Sequence, residues 1–220
     1  MSLLAGGRCV HGSIVVAEHD WNVPGTMGWT SDEGWVTLSN PMTGGSDGGG
    51  YLKMALDPAP LIDPGSQWHA LAKVQASSLF AGNWQGVQVA FNFWAEDVQP
   101  EYVQVRWAST NAVWRSTVFD SGSSSMSTQQ WTSLVSPSLV SYLDWDYGSG
   151  SQQRFIDDLS AIDWIGVYIW RNTGMAQEYG LDEFRLMVPE PAEYMMIAAA
   201  LVSSALSLRR RWAGRAAASA

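Results

Sequence analysis

Cysteine is almost absent. Cys9 is the only one in 220 residues, and a single thiol excludes a disulfide scaffold. Histidine is scarce as well, and His11, His19 and His69 lack the close spacing of a transition-metal site. Basic residues are few: 12 Lys and Arg stand against 21 Asp and Glu, a net charge of −9. Four of those cations, Arg209, Arg210, Arg211 and Arg215, crowd the C-terminus, so residues 1–188 carry 8 basic and 19 acidic groups, a net of −11. Such a body repels nucleic acid and anionic lipid and is compatible with neutral sugars. Phosphate-loop and dinucleotide fingerprints are missing. No segment of helical period longer than two turns precedes residue 192.

Aromatic residues are abundant. The chain has 13 Trp, 7 Tyr and 6 Phe, a content that disordered chains do not reach. Strand signals dominate between the ends. Candidate strands are Ser13–Glu18, Trp35–Ser39, Tyr51–Leu56, His69–Ala76, Val87–Ala95, Tyr102–Ala108, Val113–Phe119, Gln129–Val135, Ile162–Trp170 and Leu181–Val188. Clusters of Gly, Pro, Asn, Asp and Ser separate them, and Asp157–Ser160 is expected to form one helical turn. Ten short strands predict an all-β, two-sheet antiparallel β-sandwich of jelly-roll type over residues 13–188, between an N-terminal segment (1–12) and a C-terminal segment (189–220).

Period-two alternation divides the strands into two faces. Val87, Val89, Phe91, Phe93 and Ala95 read as core, as do Val103, Val105 and Trp107, and Ile165, Val167 and Ile169. The opposite set contains Trp94, Tyr102, Gln104, Arg106, Tyr168 and Trp170. A pyranose presents an apolar C–H face that stacks on Trp or Tyr, and hydroxyls that bond to amides and guanidinium. These six residues are therefore the candidate glycan platform. It requires that Trp94, Tyr168 and Trp170 share one accessible face.

Other chemistry is thinly represented. Gly44-Gly45-Ser46-Asp47-Gly48 matches the nucleophile-elbow spacing but precedes a strand, where that pattern carries no mechanism. No carboxylate pair stands out as a glycosidase couple. Glu18, Asp20, Asp47 and Asp182 are oxygen donors suited to a hard cation such as Ca²⁺. Asp144–Gly148 looks superficially like a calcium loop but lacks the closing glutamate, Phe155 standing in that position.

The C-terminal segment is tripartite. Pro189-Glu190-Pro191 is followed by the uncharged stretch 194–208 and by Arg209-Arg210-Arg211. As a helix, that stretch reaches about 22 Å, short of the roughly 30 Å hydrocarbon core, with Trp212 and snorkelling arginines extending it. This tail resembles the PEP-CTERM sorting signal of exported bacterial proteins. The resemblance implies processing by an exosortase-type membrane protease, a transient inner-membrane anchor, and release to the envelope or extracellular matrix of bacteria that make exopolysaccharide. Met1–Val10 offers no full apolar run of the kind an export signal needs, so a truncated start is expected.

The body resembles galactose-binding-like jelly rolls, which include many carbohydrate-binding modules, through Gly48–Met54, Trp164–Ile169 and Tyr179–Leu186. That resemblance implies a structural calcium held by Asp182 and Glu18. The combined expectation is an exported, non-enzymatic glycan-binding protein with extracellular polysaccharide as partner. A structural matrix or adhesin protein that binds another protein is the alternative, and a polysaccharide-modifying hydrolase is less favoured.

Overall fold

A computed structural model of the chain describes residues 13–59, 68–120, 126–146, 150–171 and 173–189. The chain divides into two units, one of residues 15–187 and one of residues 1–14 with 188–220. Almost all of the second lies outside the described residues. So do Glu190, Pro191, Arg209, Arg210, Arg211 and the apolar stretch 194–208; Pro189 is described only as the last residue of a strand. Among the described residues, no helix is long and apolar enough to cross a membrane.

Among the described residues, twelve strands and two short α-helices follow one another, with one 3-10 turn at Tyr142–Asp144. They are β1 (Ser13–His19), β2 (Val36–Ser39), β3 (Leu52–Leu56), β4 (His69–Gln75), α1 (Ala76–Leu79), β5 (Gln88–Ala95), β6 (Tyr102–Ser109), β7 (Val113–Ser116), β8 (Phe119–Asp120), β9 (Thr132–Val135), β10 (Trp145–Asp146), α2 (Gln152–Leu159), β11 (Ile162–Trp170) and β12 (Gln177–Pro189). The first sheet runs β2-β3-β12-β5-β9, with β1 beside β12. The second runs β10-β7-β6-β11-β4, with β8 beside β6. The result is the antiparallel β-sandwich that the alternation predicts. The segment expected as one strand from Val113 to Phe119 is two, because Thr117 and Val118 leave the ladder.

The alternation places the core as expected. Val89, Phe91 and Phe93 of β5, Val103, Val105 and Trp107 of β6, and Ile165, Val167 and Ile169 of β11 are all buried. Trp107 and Trp114 sit opposite each other on β6 and β7, with ring centroids 5.7 Å apart. Phe155 of α2 packs 5.0 Å from Trp114 and 5.7 Å from Trp107. At the other end, Trp29 lies 5.5 Å from Trp21 and 4.9 Å from Phe184.

α2 is longer than the single turn expected at Asp157–Ser160. The Ser151 side chain caps it, its hydroxyl accepting from the Arg154 N–H. Asp158 is not a turn acid but a buried bracket. Its carboxylate accepts from Ser109 Oγ (2.8 Å), Trp114 Nε1 (2.9 Å) and Asn111 Nδ2 (3.2 Å). It thereby ties α2 to β6, β7 and the turn between them. Replacing it strands three donors, at a cost of about 1–3 kcal/mol for a buried group left without its partner. Asp158→Ala is expected to lower the unfolding free energy by about 3 kcal/mol, read from urea denaturation; a loss under half of that would mean that the bracket is not structural.

Candidate functional site

The outward face of the second sheet gathers five of the six expected platform residues. Tyr102 on β6, Trp170 on β11 and His69 on β4 are direct cross-strand partners. Their rings lie nearly parallel: Trp170 is 4° from His69 at 6.2 Å, and 9° from Tyr102 at 6.4 Å. Tyr168, one pleat along β11, stacks 5.6 Å from His69 and 6.1 Å from Tyr102. Trp35 meets His69 edge-on at 5.5 Å and donates its indole N–H to the His69 carbonyl at 2.8 Å.

One pleat further, Arg106 lies flat on this aromatic floor, its Cζ 3.2 Å from the centre of the Tyr168 ring. Gln104 fixes it there. The Gln104 Oε1 accepts from Arg106 Nε (3.3 Å) and Nη2 (2.9 Å), and Gln104 Nε2 donates to the Ser116 carbonyl at 3.1 Å. Two of the five guanidinium N–H groups are thus used for positioning. Gln104 and Tyr168 are themselves buried. They support the face from below, where the sequence reading had them as direct ligand contacts; Tyr102, Arg106, Trp170 and His69 remain partly exposed.

Electrostatics follow from this burial. The Tyr168 phenol is pushed up to about 12, chiefly by desolvation, against the pull of Arg106. Desolvation holds the His69 imidazole below 6.5; Glu33 pulls it upward and Arg106 reinforces the decrease. Arg106 is lowered by burial, yet a guanidinium stays charged throughout the accessible range.

Trp94 does not belong to this face, and Tyr168 is buried, so the expected condition that Trp94, Tyr168 and Trp170 share one accessible face is not met. Trp94 lies on β5, in the first sheet, directly opposite Gly180 of β12. Its ring neighbour is Trp131, at 6.5 Å, which in turn meets Tyr51 at 5.5 Å. Alternation assigns a residue to a side of its strand; it does not say which sheet the strand joins. The converse omission is His69. The β4 residues His69, Leu71, Lys73 and Gln75 alternate with buried Ala70, Ala72 and Val74, a signal legible in the sequence that puts His69 on the outward side, while the pairing of β4 with β11 makes it a third strand of the face.

Glu18 and Asp182 are each engaged with protein groups. Asp182 is fully buried, and its Oδ2 accepts from the Ser46 backbone N–H (2.7 Å) and hydroxyl (2.8 Å), its Oδ1 from the Glu183 N–H (2.8 Å). Glu18 is exposed and faces Arg185 at 3.6 Å. Among the described residues, no three His, Cys, Asp or Glu side chains gather at one point. Asp182 anchors the glycine-rich loop 44–50. The bulge beside it, at Glu183 (φ 48°), turns the Glu183 carboxylate to Asn92 Nδ2 (2.6 Å) and Arg185 Nη2 (2.7 Å).

No family model matches the chain, and no curated protein sequence does. Solved structures do match, as folds. The chain is similar to the CBM22-1 xylan-binding domain of Paenibacillus barcinonensis Xyn10C, with a TM-score of 0.51 and 12% identity over 81% of this chain and 97% of that one. It is also similar to the CBM22-1–GH10 modules of Clostridium thermocellum Xyn10B complexed with xylohexaose (TM-score 0.53, 9% identity, 81% of this chain and 29% of that one). An exo-β-agarase matches at a TM-score of 0.54 and 12% identity, over 80% of this chain and 25% of that one. The chain therefore has the β-sandwich fold of carbohydrate-binding modules.

The His69 environment makes a direct prediction. A folded pKa below the unfolded one means that the neutral ring's contribution to stability is complete above pH 6.5 and is lost as the pH falls below it. NMR titration of the imidazole is expected to place its midpoint below 6.5; a value above it would mean that Glu33, not desolvation, governs the ring.

Proposed function

We propose that this chain is a non-catalytic glycan-binding protein whose ligand lies on the outward face of the second sheet. The observation that carries the reading is the in-register row Tyr102–Trp170–His69, three rings within 4° and 9° of parallel, flanked by a guanidinium already oriented by Gln104. Flat rings take the C–H face of a sugar, and the N–H groups of Arg106 that Gln104 leaves unused donate to its hydroxyls. Gln104 holds Arg106 in place before binding, so little of its side-chain entropy is lost on association. The fold likeness to a xylan-binding domain and to a xylohexaose-bound module supports a neutral polysaccharide as partner, as does the net charge of −11 over residues 1–188.

The location of the work belongs to the same proposal. The Pro-Glu-Pro, apolar and arginine sequence of 189–211 supports export, transient anchoring in the inner membrane, processing by an exosortase-type protease and release into the envelope or the extracellular matrix.

Two experiments test these readings. Tryptophan fluorescence of the full chain, titrated with xylan, mixed-linkage glucan and agarose, is expected to saturate with at least one polymer. Trp170→Ala and Tyr102→Ala should each weaken that binding by about tenfold, equivalent to roughly 1.4 kcal/mol, with the near-ultraviolet dichroism otherwise retained. A folded protein that responds to none of these polymers would remove the glycan reading for that panel. For the tail, expression beside an exosortase-type protease should shorten the chain near residue 190, and Glu190→Ala should abolish the shortening; an unchanged mass in both would refute the sorting assignment.

A further inference from the structure

β11 presents Trp170, Tyr168, Gly166 and Trp164 in turn to the outward face. Gly166 is the cross-strand partner of Arg106 on one side and Lys73 on the other. These two cations stand two strand spacings apart, about 9.6 Å, and Gly166 between them is buried. Glycine is required there, because a Cβ would fall 2.2 Å from the Ala72 carbonyl oxygen and 2.8 Å from the Lys73 Cα.

Beyond Gly166 lies a cavity of about 270 Å³, lined by Lys73, Gln75, Asp163 and Trp164 of the sheet and by Gly28 and Thr30 of the preceding loop. The loop is fixed in place: Thr30 and Lys73 exchange both backbone hydrogen bonds, at 2.9 and 3.0 Å. The Lys73 ammonium sits 5.3 Å from the centre of the Trp164 ring and pairs with Asp32. The cavity thus offers one indole, one ammonium, one amide and one carboxylate, again an aromatic face beside hydrogen-bonding groups. Its volume is just below the range of drug-sized ligand pockets, which suits a single sugar ring.

We propose that the cavity is a distal sugar subsite, and that the ligand is an internal stretch of polysaccharide lying along β11. The chain would run from the Tyr102–Trp170–His69 row, past the partly exposed Arg106 and Lys73, to Trp164. Six residues of strand separate the two tryptophans, about 20 Å, which a disaccharide cannot bridge. This inference rests on the glycan reading above and adds ligand length and direction to it.

Calorimetric titration of the full chain with xylo-oligosaccharides and cello-oligosaccharides, from disaccharide to hexasaccharide, tests it. In the wild type, affinity is expected to rise at least tenfold between disaccharide and hexasaccharide. Trp164→Ala should remove that rise while leaving disaccharide affinity unchanged, whereas Trp170→Ala weakens every length. Gln75→Ala, at an exposed position that leaves the core untouched, should reproduce part of the Trp164→Ala effect. An affinity that is flat with length, or a Trp164→Ala profile that follows the wild type, overturns the distal subsite and leaves the glycan reading intact. Absence of binding by every oligosaccharide and by xylan, mixed-linkage glucan and agarose overturns both.

Discussion

Everything on the outward face depends on the register of β11 against its two neighbours. β11 pairs with β6 on one side and β4 on the other, and strand pairing has a side-chain period of two. A slip of one residue on any of the three would send its ring to the interior and bring an aliphatic residue out. What prevents the slip is burial on the inner side. Ala70, Ala72 and Val74, Val103, Val105 and Trp107, and Ile165, Val167 and Ile169 are all at or below 1% exposure. Fully burying a large apolar side chain is worth about 1.5–3 kcal/mol, so a slipped strand forfeits several such terms at once. The core thereby aligns Tyr102, Trp170 and His69, none of which needs to hold the others in place.

The same alternation explains what was legible in the sequence. The ten expected strands are present, with Val113–Phe119 split in two, and the inward alternation is cleanest in β3, β4 and β7. Membership of a face was legible only within a strand. Tyr102, Arg106 and Trp170 come together because β6 and β11 are adjacent, a fact of topology. Trp94 sits on an equally convincing alternating strand, yet β5 pairs with β12 and β9 and carries it to the other sheet. Asp158 was illegible for a different reason. A buried carboxylate is recognisable only from its donors, and Ser109, Asn111 and Trp114 are distant from it in sequence. Asp182 was singled out by its place on the last strand, and its burial agrees with that importance. Its partners, however, are N–H and O–H donors from Ser46 and Glu183, and these could not be read from the chain.

Two buried residues do as much for the face as the exposed ones. Tyr168 gives Arg106 a flat surface, and Gln104 takes two of its N–H groups. A guanidinium that is partly desolvated and held over an aromatic ring has little freedom left to lose on binding. Gln104 is in turn anchored to the Ser116 carbonyl, and the Ser116 hydroxyl accepts from the Val105 N–H. The orientation of Arg106 is therefore inherited from the β6–β7 ladder. A surface arginine on a free side chain would pay that ordering cost at each binding event.

The two outward aromatic groups of the sandwich differ in what their rings are committed to. On the first sheet, Trp131 donates its indole N–H to the Gly44 carbonyl at 3.0 Å and meets Tyr51 at 78°, edge to face. Both rings press on Gly180, where a Cβ would fall 2.8 Å from Trp131 and 3.1 Å from Tyr51. Those rings are spent on each other and on pinning the loop that Asp182 anchors. On the second sheet, Tyr102, Trp170 and His69 stand side by side with parallel planes and draw only weakly on one another, since parallel rings more than 6 Å apart lie near the outer limit of ring pairing. A tryptophan count cannot distinguish packing from presentation, but the relative orientation of the rings can. By that criterion the second sheet, not the first, leaves its outward rings uncommitted, in keeping with the ligand face proposed for it.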